Sequence, residues 1–321
     1  MTLVDKSIPQ PSLHKTAVQP AQPVLQQPGL QQAHAQPALP QVVRYQALRR
    51  FASNRMAVFG ALIIALLLLA ALLAPLLAPF DPIFDQAYSN ILASPSATHW
   101  LGTDDLGRDI FSRLVFGARI SLQAALIAVG LAFFVGVPIG IASGYYRGFW
   151  DEWVVMRAVD ALQAFPSLIL ALALAAALGG GFYNAMVAVG IGFTPAFIRL
   201  ARGQAMTIRN LDYVMAARSV GAGNLRIMWR YVLPNAMAPL VIQASFAMGS
   251  AIIAEAGLSY LGLGARPEQP SWGSMLHIAQ GYLNTNPLLA LWPGMAIFIV
   301  VLGFNLLGDG IREVFDPKLN R

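Results

Sequence analysis

The chain has 321 residues, of which 57% are hydrophobic and only 11% are charged, whereas soluble domains carry about 25% charged residues. With a mean hydropathy of +0.59, too little polar surface remains to cover a water-soluble core, so we expect a membrane protein with several spans. The absence of cysteine excludes disulfide frameworks, zinc–thiolate sites and thiol catalysis.

The N-terminal segment differs in composition from the rest of the chain. Residues 1–43 are rich in proline and glutamine and show little apolar periodicity, which predicts a disordered cytoplasmic tail. They are not a signal peptide, because the first apolar run begins only after Arg55. That run, Ala57–Phe80, carries no charge and is long enough to cross a hydrocarbon core of about 30 Å. We assign 44–116 to this first span and the extracytoplasmic segment that follows it.

Charge-free runs recur along the chain and predict further spans. They are Ile120–Tyr146, Ala161–Leu178, Ala185–Ile198, Tyr231–Ala254 and Leu288–Gly308. The run that begins at Ala185 falls short of roughly 20 residues, which a span needs, unless its helix continues through Arg199 and Arg202. We therefore expect an all-α membrane protein with about six transmembrane helices, a core over 117–309 and a cytoplasmic C-terminal tail over 310–321.

The basic residues are distributed unevenly between the predicted loops. If the N-terminus is cytoplasmic, fifteen of the lysines and arginines from Arg44 onward lie inside, and only Arg108, Arg113, Arg119 and Arg266 lie outside. This positive-inside bias predicts that both termini are cytoplasmic. It also accounts for the net charge of +6 without a nucleic-acid partner.

The predicted outer segment 81–118 is long enough to be structured. Apolar residues recur every four positions over 105–118, which predicts a short amphipathic helix on the membrane surface that leads into the second span. The nearby Asp104, Asp105 and Asp109 lack the spacing of a calcium loop. We expect them to cap helices and to form surface hydrogen bonds rather than to bind a metal.

The predicted cytoplasmic segment 201–239 has the pattern helix, turn, helix. Tyr213–Val220 contains no helix breaker, and Gly221 and Gly223 tolerate the left-handed conformation of a helix C-cap. Asn224 is a favoured N-cap residue. The pattern therefore predicts a second helix that begins at this asparagine.

This second helix, which we expect to end at Pro234, has two different faces. Its apolar positions, spaced i, i+3, i+4 and i+7, are Leu225, Met228, Trp229 and Val232. Arg226 and Arg230 lie four residues apart on another face. Such a helix either lies on the inner leaflet with its arginines toward anionic lipid or forms a docking element for a soluble partner, and the pattern alone leaves both open.

The same segment resembles the "EAA" signature of ABC importer permeases, in which Glu-Ala-Ala precedes a glycine and a Leu-Pro pair at fixed spacing. The matching residues are Met215, Ala216, Ala217, Gly221, Leu233 and Pro234. Met215 replaces the signature Glu, and Tyr231 replaces an Ile. Other stretches resemble the peptide and nickel branch of these permeases, of the C-subunit type, and they are His99–Arg113, Gly117–Leu122, Leu258–Gly264, Pro270–Leu276 and Phe304–Gly310.

The resemblance implies a type I ABC importer permease in the bacterial cytoplasmic membrane, for dipeptides, oligopeptides or similar small solutes. It implies as partners a homologous permease subunit, two cytoplasmic ATPase subunits and an extracytoplasmic solute-binding protein. The residues that it assigns to ATPase coupling are Ala216, Ala217, Gly221, Gly223, Leu233 and Pro234. It assigns a second, smaller contact to the loop Tyr145–Asp151.

The sequence contains no element for ATP hydrolysis. Its lysines are Lys6, Lys15 and Lys318, and none of them follows a glycine, so no phosphate-binding loop is present. The four histidines do not form the H-E-x-x-H pattern of a zinc protease. We expect a transport subunit that is not an enzyme and binds no cofactor itself, while its partner subunits use ATP and magnesium.

Two acidic residues fall at or within predicted spans. Asp160 lies near the start of the third span, where an interfacial charge costs little, and we expect a structural role for it. Glu255 lies deeper and should face the helix bundle, because a charged side chain facing lipid at the bilayer centre would cost about 2.5–3.5 kcal/mol. It either forms an interhelical hydrogen bond or lines a wet translocation pathway.

Two other kinds of membrane protein are alternatives to an importer permease. An ion-coupled secondary transporter would need inverted repeats, broken helices and polar sites at the midplane, and the sequence shows no convincing internal repeat. A scaffold that transports nothing would show neither a polar cavity nor ATP dependence. An ion-coupled transporter also does not require an ordered segment over 201–239.

Overall fold

The computed structural model describes residue 49 and residues 51–315, and the predicted tail over 1–43 lies outside that part of the chain. Within the described ranges the chain is built of helices and loops, without extended strands. The helices are α1 Arg55–Leu72, α2 Ala74–Leu77, α3 Ile110–Tyr146, α4 Met156–Gln163, α5 Ser167–Ala177, α6 Phe182–Ile208, α7 Asp212–Ser219, α8 Asn224–Ile227, α9 Leu233–Tyr260, α10 Trp272–Ala279 and α11 Leu288–Phe315.

Five helices are long and apolar enough to cross a membrane, and a sixth span is present if one bent pair is counted as a span. This count over the described residues agrees with the expected six. The bent pair replaces the predicted third span, Ala161–Leu178. Trp150–Gln163 and Ser167–Ala177 meet at 96°, because Pro166 cannot donate a helical hydrogen bond and disfavours helix in the residue before it.

The predicted fourth span is confirmed in its longer form. Helix α6 continues through Arg199 and Arg202 to Ile208. Both arginines find acidic partners on the neighbouring segment: Arg199 contacts Asp160 at 2.7 Å, and Arg202 binds Asp151. These pairs let the helix extend beyond its apolar part.

The surface helix predicted over 105–118 is wrong. Residues before Asp109 form turns, and Gly107 has a positive φ of 76°. Asp109 caps α3, its carboxylate accepting hydrogen bonds from the Ser112 amide at 2.8 Å and from the Ser112 hydroxyl at 2.7 Å. Helix α3 then runs without interruption to Tyr146, so the amphipathic stretch is the first turns of the second span.

Helices α3 and α6 approach each other closely along a row of glycines. Gly136, Gly140 and Gly144 lie four residues apart on one face of α3, and a methyl group at any of them would collide with α6. At Gly136, for example, an added Cβ would lie 3.0 Å from the carbonyl oxygen of Thr194. Small residues at this spacing allow membrane helices to pack backbone to backbone.

The helix bundle has two ends, the Asp104 end and the Asp212 end. The Asp104 end carries the segments 78–109 and 261–287, and the Asp212 end carries the connections between α3 and α4 and between α6 and α8. At the Asp104 end, Arg113 donates to the carbonyl oxygens of Pro82 at 2.9 Å and Pro267 at 3.0 Å. This arginine therefore joins the two segments of that end.

Of the three acidic residues expected at helix caps and on the surface, Asp109 caps α3 as expected, whereas Asp104 does not lie on the surface. Asp104 is buried and accepts from Arg108 Nε at 2.7 Å, with Arg113 Nε at 3.4 Å. Burial and the neighbouring Asp104 raise the pKa of the Asp105 carboxyl. Ion pairing inside the folded segment explains the burial, because buried charges are stable only when paired.

Candidate functional site

Helix α7 lies at the Asp212 end, between the end of α6 and the start of α8. Val214 and Ala217 are buried, whereas Ala216 is exposed. Met215 is 49% exposed, and Val220, just after the helix, is 85% exposed. The helix therefore presents a small, mostly uncharged surface away from the bundle.

Gly221 forms the C-cap turn that the sequence predicted. Its φ is +84°, and the amides that follow α7 bond back into the helix, from Gly221 to the Arg218 carbonyl oxygen and from Ala222 to the Ala217 carbonyl oxygen. A side chain other than glycine is strained at this φ. Gly223 does not share this requirement, because its φ is −66° and it serves as N-cap of α8.

Two predictions about the second helix are wrong. Asn224 is the first residue of α8 rather than its cap. Pro234 does not end the helix, since the chain continues from α8 through the π-helical turn Met228–Val232 into α9. Pro234 is the second residue of α9 and lies immediately beyond the π-helical turn, where the helical hydrogen-bond pattern is already irregular. The predicted loop 201–239 is therefore short, and most of it belongs to spanning helices.

Tyr145, near the end of α3, joins that helix to the segment around α7. Its hydroxyl donates to Asn224 Oδ1 at 2.9 Å and accepts from Arg218 Nη2 at 3.0 Å. Arg209 Nη1 donates to the Tyr145 carbonyl oxygen at 2.7 Å. The Arg218 guanidinium also lies 5.5 Å from the centre of the Tyr145 ring, within cation–π distance. Because Tyr145 is only 5% exposed, these contacts fix both sides of α7 to α3.

A second junction connects α3, α6 and the π-helical turn Trp150–Val155. Arg202 Nε and Nη2 donate to the two carboxylate oxygens of Asp151, each at 2.7 Å, which is the bidentate geometry favoured by arginine and carboxylate. The Ser143 hydroxyl donates to the same carboxylate. Asp151 is 2% exposed, so the loop 145–151 is anchored here rather than projecting as a whole.

The junctions give α7 a mechanical connection to the spanning helices. Tyr145 connects α3 with Arg218 of α7, and α3 contacts α6 along the glycine row and through the hydrogen bonds of Ser143 and Arg202 to Asp151. On α7 itself, partial burial raises the pKa of the Tyr213 hydroxyl, so this side chain stays neutral. The geometry suits transmission of movement rather than bond chemistry.

The predicted coupling residues do not form one continuous surface. Ala216, Gly221 and Gly223 are exposed around α7, whereas Ala217 faces inward. Leu233 and Pro234 lie beyond the π-helical turn, at the start of α9. The sequence did not predict that Tyr145 contacts Arg209 and Arg218. The charge pattern identified the two arginines only as basic residues of a cytoplasmic loop.

Glu255 faces the bundle, as its cost in lipid led us to expect. It is 0% exposed, on α9, and accepts hydrogen bonds from the Ser259 hydroxyl at 2.7 Å and the Ser121 hydroxyl at 3.4 Å. Ser121 belongs to α3, so the carboxyl connects two spanning helices. Its place in a translocation pathway stays a prediction.

Among the residues described, no group of three or more His, Cys, Asp or Glu side chains is placed to hold a metal ion.

Comparison with known proteins agrees with this architecture. Residues 136–321 match the family described as binding-protein-dependent transport system inner membrane component, and 44–95 match the N-terminal TM domain of oligopeptide transport permease C. The chain is 42% identical to the dipeptide transport system permease protein DppC of Alkalihalophilus pseudofirmus, over 85% of this chain and 90% of that protein. It is 44% identical to the glutathione transport system permease protein GsiD of Pectobacterium atrosepticum, over 84% and 90%.

A solved structure shares the fold. A chain of the MetNI methionine ABC transporter in an inward-facing conformation superposes with a TM-score of 0.53 at 21% identity, covering 64% of this chain and 97% of that one. The family match spans more than half of the chain, and it decides against the ion-coupled transporter and the scaffold. The chain therefore belongs to the inner membrane components of binding-protein-dependent transport systems and is a permease subunit of an ABC importer, not an enzyme.

Proposed function

We propose that the chain forms half of an import pathway for small peptides and that α7 is the element through which the ATPase drives it. The observation that carries the coupling role is the double attachment of α7 to Tyr145, through Arg218 on one side and Asn224 on the other. A helix that only lies on the membrane surface does not need this connection. The proposal for the solute rests on the relatives named for dipeptide and glutathione transport.

The same proposal sets the orientation and the partners. The Asp212 end faces the cytoplasm and meets one of two ATPase subunits, which bind ATP and magnesium, while this chain binds neither. The Asp104 end faces outward and receives solute from a binding protein. The second half of the pathway comes from a homologous permease subunit. The exposed side chains of Met215 and Val220 form an apolar surface, and Met215 stands where the signature has Glu. This uncharged surface supports docking in an uncharged cleft of the ATPase.

Cross-linking tests the docking element directly, because the chain has no cysteine of its own. Val220→Cys, 85% exposed beside α7, should cross-link to a cysteine in the ATPase cleft within the assembled transporter. Ser96→Cys, exposed at the Asp104 end, is the matched control and should not. If the ATPase co-purifies yet neither variant cross-links with any cleft cysteine, α7 is not the docking element.

Uptake by the assembled transporter tests the solute class. Proteoliposomes carry the complex with its Asp212 end facing the lumen, and the binding protein is added outside. They should accumulate labelled dipeptide or glutathione only when the lumen contains ATP. A labelled free amino acid serves as the control solute and should not accumulate. ATP-driven uptake of a nickel complex without uptake of any peptide would contradict the peptide assignment and leave the docking result unaffected.

A further inference from the structure

A half-open apolar groove lies between α3 and the helix that runs from α8 into α9. Its cavity has a volume of about 440 Å³, within the range of small-ligand sites. Its walls are almost wholly apolar and include Phe133, Phe134, Pro138, Leu225, Trp229 and Leu233. Phe134 is 78% exposed and Trp229 is 56% exposed, so the groove opens sideways from the bundle rather than into its centre.

The position of the groove in the membrane follows from the helices that form it. Phe133 and Phe134 lie in the second half of α3, and Trp229 lies in the π-helical turn that continues into α9. Both helices are long and apolar enough to span the bilayer. The groove therefore runs from within the span toward the Asp212 end, where the helices leave the hydrocarbon region.

Two arginines are the sequence neighbours of residues that line the groove at its Asp212 end. Arg226 and Arg230 each follow a lining residue, Leu225 and Trp229, by one position, which places their side chains about 100° further round the helix. Both are exposed. In the part of the chain that the structure describes, neither arginine has a carboxylate within ion-pair distance.

We propose that this groove binds an anionic phospholipid, with an acyl chain in the cavity and the phosphate between Arg226 and Arg230. The apolar walls match the chain, and the two unneutralised guanidinium groups match the charge of the phosphate. Basic positions beside apolar clefts between spanning helices are suited to anionic headgroups. Arginine binds phosphate with several donors at once. The bound lipid would hold the start of α9 at a fixed depth while α7 moves.

Two arginines near the surface contribute about 1 kcal/mol each, so the expected preference for an anionic over a zwitterionic lipid is roughly 30-fold. Trp229 lies in the wall of the cavity and reports on it. The assembled transporter is placed in phosphatidylcholine nanodiscs that contain a small fraction of either acyl-brominated phosphatidylglycerol or acyl-brominated phosphatidylcholine. Subtracting the fluorescence of the Trp229→Phe variant isolates the quenching of Trp229.

Brominated phosphatidylglycerol should quench Trp229 at a much lower mole fraction than brominated phosphatidylcholine. The double variant Arg226→Gln and Arg230→Gln should lose that preference. Arg266→Gln, an exposed arginine at the Asp104 end, should keep it. Equal quenching by the two lipids would overturn the proposal, because the groove would then be ordinary lipid-facing surface. Absence of quenching by either lipid would also overturn it and would mean that another subunit fills the groove.

Discussion

Replacing Tyr145 by phenylalanine tests whether α3 transmits the movement of α7. The change removes one hydroxyl, and with it the bonds to Asn224 and Arg218, while the ring and its burial stay. The carbonyl bond from Arg209 is also kept. We therefore expect the subunit to fold and to enter the membrane at normal abundance.

The size of the effect follows from the two lost hydrogen bonds. Each contributes about 1 kcal/mol, because both partners are exposed and regain hydrogen bonds to water. A total of about 2 kcal/mol corresponds to a shift of roughly 30-fold between attached and detached positions of α7. Transport should then fall by up to roughly 30-fold, because ATP-driven closure of the ATPase would move α7 without moving α3.

The assay is the ratio of solute taken up to phosphate released by the complete transporter in proteoliposomes. In the Tyr145→Phe variant, we expect uptake to fall while basal ATP hydrolysis continues. Tyr146→Phe is the matched control, since Tyr146 is the next residue, is 59% exposed and has no side-chain hydrogen bond to the described residues. An unchanged ratio in the Tyr145 variant would refute the transmission through this side chain.

Three further predictions concern the cap, the buried carboxyl and the orientation. Gly221→Val should cost about 1–2 kcal/mol of local strain at a φ of +84° and abolish transport without loss of insertion. Gly281→Val, at an exposed glycine of the Asp104 end with open space around it and no positive φ, should be tolerated, and equal uptake by the two variants would contradict the cap. Glu255→Gln keeps an acceptor for its serine partners, so uptake should stay normal if Glu255 is structural. Glu255→Leu should lower abundance, while altered solute preference in the Gln variant would support a pathway role instead. Ser96→Cys should react with an impermeant thiol reagent in spheroplasts and Ser219→Cys should not; the reverse pattern would invert the topology.

Local pattern was sufficient where a short stretch of sequence decides its own conformation. Gly221 adopts the left-handed cap because only glycine does so without strain. Helix α6 extends past its apolar run, as the length of a span required. Glu255 faces the bundle because lipid would not solvate it. These expectations needed no knowledge of neighbouring helices.

Predictions from local sequence were wrong where the effect of a proline or a charged residue depends on the residues that surround it in the fold. Pro234 looked like a helix end, yet the π-helical turn before it lets the helix continue into α9. Pro166 looked like part of a straight span, yet it separates two helices that meet at 96°. Asp104 looked exposed, yet Arg108 and Arg113 neutralise it inside the fold.

The sequence by itself determined the membrane class, the approximate number of spans, the cap at Gly221 and the family signature around α7, because each depends on composition or on short spacing. Only the tertiary structure decided which helices meet. Tyr145 finds Arg209, Arg218 and Asn224 at separations of 64, 73 and 79 residues. No periodic pattern encodes such partners, since they depend on the close packing of α3 against α6, which brings the ends of distant helices together.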